Sequence, residues 1–411
     1  MKSSNFKKYL DYAVFGAIIL MAAFPVIPNA LKNVGFLALL ALSLVKYFTS
    51  KKEKVNTKRF FINASLYFVY LFSLIYTDSF EVAGKKLDTA VAMVVFPLIF
   101  FVLKPFDERK REYYSKKFTQ SFYFFSILYA ILALINFYLQ DAFRFYPDPW
   151  LLRNTMEEMS LIGLHPIYAS LIISLGVLFS FPFFSQGKNH TIKLLATLLN
   201  IPLISVLILL ASKGVIIALI IATIAYLFLN IRKKKVKVIS IILIVAGFAL
   251  SLIYLPSLNH RFKELKEVSS LEIKLDKYNS TSIRKGVYYC SVIRVSENWF
   301  FGYGIGDVQP ALNDCYETID DDIFNKFDYN SHNQYLGVLL STGVLGLLAL
   351  LLILTSNFYL AITNKDWVFL AVLAFFSIAF LTENILERQA GVILFSFLLS
   401  FFGQKHLMRK T

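Results

Sequence analysis

The chain has 411 residues, of which 57% are hydrophobic, 16% aromatic and only 17% charged, with a mean hydropathy of +0.60. That length would allow two or three soluble domains, but the composition excludes a water-soluble core and leaves a polytopic membrane protein. Forty-two Lys and Arg against 27 Asp and Glu give a net charge of +15; the positive residues fall between apolar runs, so the charge is an orientation signal and no nucleic-acid partner is expected. Two cysteines without CxxC or Cys/His spacing exclude a zinc module or a multi-disulfide scaffold. The first apolar run lacks a small-residue cleavage site and a second run follows at once, so no cleavable signal is expected.

A hydrocarbon layer about 30 Å thick needs about 20 apolar residues as helix, because backbone polar groups in lipid must pair within the segment. Twelve runs of roughly this kind occur, at 10–27, 34–48, 60–76, 87–103, 118–139, 166–184, 194–211, 215–229, 236–255, 334–356, 367–381 and 390–402. The expectation is an all-α fold with about 12 transmembrane helices. With an inside N-terminus, the segments assigned to the cytoplasm carry 25 Lys and Arg, and the short outer connections carry 7. Both termini are therefore expected in the cytoplasm.

Two outer connections are long, 140–165 and about 256–331. The second is too rich in aromatic and β-branched residues for disorder and reads as a partly helical cap. It divides the chain into spans 1–9 (1–255), the cap loop (256–333) and spans 10–12 (334–411). Within it, Ile283, Val287, Cys290 and Ile293 recur at helical spacing across 281–297, with Ser282 placed to cap the start. Gly302, Gly304 and Gly306 then mark a turn. Cys290 and Cys315 both lie on this side of the membrane, where a disulfide is permitted but not required.

The tenth run opens Ser331-His332-Asn333-Gln334-Tyr335-Leu336, with Leu339, Gly343 and Gly346 following. A His at this depth either serves proton transfer near neutral pH or merely caps the helix, and Asn333 either orients it or holds a substrate hydroxyl. The whole run HNQYLGVLLSTGVLG resembles the HNxYLxxLxxxGxxG signature of the O-antigen ligase and O-antigen polymerase superfamily, integral membrane glycosyltransferases that use polyprenyl-pyrophosphate-linked glycans. Arg284 in the outer loop and the stretch 298–306 also resemble that family, whose NPxxGxGxG pattern is met here with Trp299 in place of proline. The turn Ser212-Lys213-Gly214 resembles a family Ser-Arg-Gly turn whose Arg is implicated in holding the donor pyrophosphate. Lys213 keeps the charge but lacks the bidentate fork; read from the residues alone, it either meets phosphate or snorkels to the surface.

The resemblance implies a GT-C-like fold and catalytic roles for His332, Arg284 and Lys213, with Asn333, Tyr335, Gly304 and Gly306 near the substrate. His165, which opens the sixth span with Pro166, resembles a family feature or is an interfacial cap. Arg153 either binds substrate or pairs with Glu157 four residues on. Glu383 and Arg388 in the last outer turn either bind sugar or pair together, and Arg294 is a second phosphate contact or a solvated charge. Asp320-Asp321-Asp322 reads as a solvated turn; neither metal nor cofactor is expected.

The expected activity is metal-independent, inverting transfer of a glycan from an undecaprenyl-pyrophosphate-linked donor to an acceptor hydroxyl. An O-antigen ligase with a lipid A core acceptor leads; a polymerase of the same superfamily, with a growing glycan as acceptor, follows. A lipid or glycan transporter is the alternative from another class, but internal repeats and mid-span charges are not found. The expected location is a bacterial inner membrane, with the active site facing the periplasm.

Overall fold

The computed structural model of the chain is described for residues 2–28, 31–49, 55–143, 149–185, 189–267, 280–319 and 322–406. The first nine apolar runs fall on α1 (Lys2–Ala22), α2 (Lys32–Thr49), α3 (Thr57–Phe72), α4 (Phe80–Ala90) with α5 (Ala92–Pro97), α6 (Glu108–Leu139), α8 (Pro166–Ser185), α9 (His190–Leu210), α10 (Lys213–Asn230) and α11 (Lys234–Tyr254); a short α7 (Pro149–Glu157) precedes α8. The cap carries α12 (Pro256–Glu267), α13 (Ser280–Glu297), α14 (Val308–Tyr316) and α15 (Asp322–Lys326). The chain closes with α16 (Gln334–Thr363), α17 (Trp367–Ala379) and α18 (Gln389–Lys405). No strand occurs among the described residues.

Each of the twelve runs is helical, and among the described residues eight helices are long and apolar enough to cross a membrane. The eight are α2, the continuous rod 80–103, α6, α8, α9, α10, α11 and α16. The remaining runs lie on α1, α3, α17 and α18, which are shorter or more polar; α17 has 13 residues, about 20 Å of helix. Burial separates roles that hydropathy leaves alike. The apolar α8 is mostly enclosed, whereas α11 buries no residue of its span. A helix apolar all round with no protein cover is stable only against lipid.

The helix ends follow local chemistry. The side chains of Asn56, Asn189, Asn333 and Asp366 accept backbone N–H bonds at the starts of α3, α9, α16 and α17, satisfying donors that lipid cannot. Pro97 ends α5, and the chain continues through a π-turn over Leu98–Leu103. Enclosed aromatics of α6, α8 and α18 form the centre: Phe118 lies 5.1 Å from both Phe397 and Phe401, and Phe122 meets Phe179 edge to face at 5.3 Å. Lipid tails are as apolar as these rings, so shape-specific packing holds them, at about 0.5–1.5 kcal/mol per pair.

The helix α13 begins at Ser280, so Ser282 lies inside its first turn and does not precede it. Beneath it the cap has its own apolar cluster of Val287, Leu312, Tyr316 and Phe324. A disulfide joins Cys290 of α13 to Cys315 of α14, with Cα atoms 5.6 Å apart. The open question of the two cysteines is thereby resolved in favour of a bridge. Asp320 and Asp321 lie outside the described residues.

The cap is fastened to the bundle through a break in α16. Gly343 has φ +60°, and a Cβ there would sit 2.0 Å from the carbonyl oxygen of Phe300, so only glycine fits. The break frees helix carbonyls and amides, and the 299–304 loop takes them up. Tyr303 N donates to Leu340 O (2.7 Å), Gly304 N to Ser341 O (3.0 Å), and Val344 N to Trp299 O (3.0 Å). This is the condition for irregular backbone near membrane depth.

Candidate active site

Connections read as outer meet at one end of the bundle, where two close approaches bring four of them together. A Cβ on Gly214 would lie 2.0 Å from Thr382 Oγ1, so the start of α10 is pressed against the turn between α17 and α18. A Cβ on Gly306 would lie 2.5 Å from Ser79 O, and the Asp307 carboxylate accepts from Asp78 N (2.7 Å) and Ser79 N (3.0 Å), tying the cap to the start of α4.

Lys213 is the first residue of α10, three residues past the end of α9. A cation there faces the positive end of the helix dipole and is buried besides, two costs that require a counter-charge. Glu264 of α12 supplies it. Its Oε2 accepts from Lys213 Nζ (2.7 Å) and Ser280 Oγ (3.2 Å), and its Oε1 from Arg261 Nη1 (3.0 Å). All three charged side chains are less than a tenth exposed. Burial alone would raise the Glu264 carboxyl, but the Lys213 hydrogen bond and the Arg261 charge prevail and hold it below the usual range. The Nε of Arg261 is buried without a hydrogen-bond partner among the described residues.

Glu383, in the turn after α17, makes the second junction. Arg284 Nη2 pairs with its Oε1, and His332 Nδ1 lies 3.4 Å from its Oε2. Burial would raise the Glu383 carboxyl; the His332 contact and the Arg284 charge outweigh it and keep the group ionised. The His332 side chain is 27% exposed, and its backbone has φ +43°, an uncommon left-handed conformation for a residue with a Cβ. Neighbouring bonds hold that shape: His332 N donates to Asn330 Oδ1 (3.1 Å), and Tyr288 OH donates to His332 O (3.3 Å).

One face of α13 links the two junctions. Thr281, Arg284 and Tyr288 follow helical spacing, and they reach Lys213, Glu383 and His332 respectively. The opposite face, with Val287 and Cys290, is buried in the cap.

The other sequence candidates divide. Arg153 does not bond Glu157 but donates to Leu210 O (2.8 Å), capping the negative end of α9, and approaches Ser212 Oγ at 3.4 Å. Burial, with the nearby Arg261 charge, lowers its pKa to about 10. His165 is held neutral: burial, then Arg388 and Arg153, push it down to about 4. Arg388 lies over the Tyr168 ring at 5.8 Å rather than on Glu383. Asn333 uses its side-chain oxygen to cap α16, accepting from Tyr335 N (3.0 Å) and Leu336 N (3.2 Å). Tyr335 OH donates to Ser377 O (2.9 Å), and Arg294 pairs with Glu297 at 2.8 Å, bonds that engage neither His332 nor Lys213. Gly304 and Gly306 serve close backbone approach to Thr77 and Ser79.

Sequence reasoning missed Glu264, Arg261, Thr281 and Tyr288. The i, i+3, i+7 spacing of Thr281, Arg284 and Tyr288 was the available signal for two of them. Arg261 and Glu264 stand three apart on one helix, a local signal for their pairing, but nothing local marks Lys213, 51 residues away, as the third member.

Residues 198–351, which include Lys213, Glu264, Arg284 and His332, match the family model described as O-antigen ligase. A comparison with curated proteins gave no match. With eight membrane-length helices among the described residues, the chain is a multi-pass membrane protein, and its residues 198–351 are similar to the O-antigen ligase family.

Proposed function

We propose that this chain is an O-antigen ligase. In this reading it transfers a glycan from an undecaprenyl-pyrophosphate-linked donor to a hydroxyl of a lipid A core, at the outer face of a bacterial inner membrane. The observation that carries it is the joining of Lys213, Arg261, Arg284 and His332 through two buried carboxylates at one end of the bundle.

The reaction needs cations to neutralise charge on the departing pyrophosphate and a base for the acceptor hydroxyl. Glu383 accepting from Nδ1–H of His332 leaves Nε2 as the base and steadies the imidazolium that forms. A contact of 3.4 Å is long, as such bonds commonly are before substrate binds. Lys213 and Arg261, already buried and held by Glu264, bind phosphate oxygens without further loss of side-chain freedom. The donor meets a preformed positive field, and the Nε of Arg261 is a buried donor with no acceptor among the described residues. The acceptor oxygen attacks opposite the leaving pyrophosphate, which makes the transfer inverting, with no metal assigned a step.

The Cys290–Cys315 bridge supports placing the cap on the oxidising side. The Lys and Arg of 104–117 and 230–237 lie at the other end and support cytoplasmic termini.

Deletion of the gene followed by envelope analysis tests the reaction. A ligase leaves undecorated core and long lipid-linked chains; decoration by a single repeat unit identifies a polymerase instead. In proteoliposomes, His332→Ala is expected to lower turnover about 10²- to 10⁴-fold at saturating donor. Turnover at the wild-type rate would remove His332 as the base.

A further inference from the structure

At the opposite end of the bundle, α6, α8, α9, α10, α17 and α18 border an open cavity of about 720 Å³. Its rim is basic: Arg111 and Lys116 of α6, Lys365 before α17, and Lys405 and His406 at the end of α18. Of the two carboxylates that line it, Asp366 is already engaged by Lys405 Nζ (3.0 Å) and His406 Nε2 (2.9 Å). Arg111 donates to Gln404 O (3.4 Å), and among the described lining residues Glu112 stands against Lys116 and Lys365, a positive surplus.

A polar stripe runs from this rim along α6. Arg111, Ser115 and Thr119 follow one another at four-residue spacing, are buried, and all line the cavity. Polar groups at this spacing have no use against lipid tails. The remaining wall is apolar, from Phe179 and Phe183 of α8, Ile192 of α9 and Phe402 of α18. Tyr226 and Trp367 add amphipathic rings of the kind that sit where hydrocarbon meets water.

From this arrangement we infer that the cavity binds the phosphate headgroup and upper acyl chains of an anionic phospholipid, at a site separate from the proposed glycan-transfer centre. A cationic, hydroxyl-lined rim fits a lipid phosphate, and an apolar wall fits the chains; free phosphate would use only the rim. The inference does not depend on the transfer reaction.

Native mass spectrometry of the purified full-length protein in neutral detergent tests it, titrated with short-chain phosphatidylglycerol, with phosphatidylcholine of the same chains, and with inorganic phosphate. The expected result is phosphatidylglycerol binding at least about tenfold tighter than either of the others. Lys116→Gln with Lys365→Gln, both on exposed side chains, is expected to weaken it about 30-fold, from about fivefold per cation, and to leave phosphatidylcholine binding unchanged. Ile192→Asn is expected to weaken lipid binding and leave that of phosphate unaltered. Equal affinity for the two lipids, or an unchanged affinity in the double variant, would overturn the site. Inorganic phosphate binding as tightly as phosphatidylglycerol would overturn the lipid assignment.

Discussion

Replacing Glu383 by Gln keeps the side-chain shape and removes the charge that Arg284 and His332 share. At 3.4 Å and an effective dielectric constant of about 20, the attraction between an imidazolium at His332 and the Glu383 carboxylate is about 5 kcal/mol. Partial exposure of His332 and the competing pull of Arg284 reduce the usable part to roughly 4 kcal/mol, about 10³-fold in rate. Single-turnover transfer in proteoliposomes at saturating donor is the measurement. Glu383→Gln should be about 10³-fold slower with donor affinity little changed, because the lost interaction strengthens only as the proton moves. The Arg284→Gln, Glu383→Gln double variant separates this from simple ion pairing. It should recover most of the thermal stability lost in the single Glu383 variant, since no buried charge is left unpaired, while transfer stays slow. A Glu383→Gln enzyme that folds and turns over within threefold of wild type would refute the assignment.

Three further outcomes follow from the same geometry. Glu264→Gln leaves Lys213 and Arg261 buried without their carboxylate and should cost about 3–5 kcal/mol in a chemical-unfolding titration; a loss under 1 kcal/mol would mean that the cluster is solvated. Gly343→Ala should lower the melting temperature and loosen the cap, read as faster amide exchange over residues 299–304, because the new Cβ meets Phe300 O at 2.0 Å. His165 binds its proton at about 4 in the fold and near 6.5 unfolded, so the unfolded state holds more protons between those values. Stability should therefore fall as pH drops from about 6.5 to 4, by on the order of 2 kcal/mol after discounting for partial exposure, and His165→Gln should flatten that slope.

The helices were legible because lipid makes the decisive constraint local: each backbone group must pair within its own segment, so an apolar run of sufficient length announces a helix without reference to the rest of the chain. The same holds for α13, whose apolar period was visible, and for the basic clusters at one end of the bundle. His332, Arg284 and Lys213 were singled out as candidates by chemical type and motif. What each one touches was not. Arg284 and His332 meet at Glu383, 99 and 51 residues away, and Lys213 is held by Glu264, 51 residues away. Nothing in the spacing of those residues encodes the pairings, because they depend on where α10, α12, α13 and the 380s turn come to rest. The glycines divide in the same way. Their presence was plain in the sequence, but the break at Gly343 and the loop of residues 299–304 that fills it exist only together. Composition and period thus determined which segments are helical and which residues carry charge. The tertiary packing decided which carboxylate meets which cation, which face of the cap helix lies over the site, and that the two cysteines stand close enough to join, because each of these is a distance between segments remote in the chain.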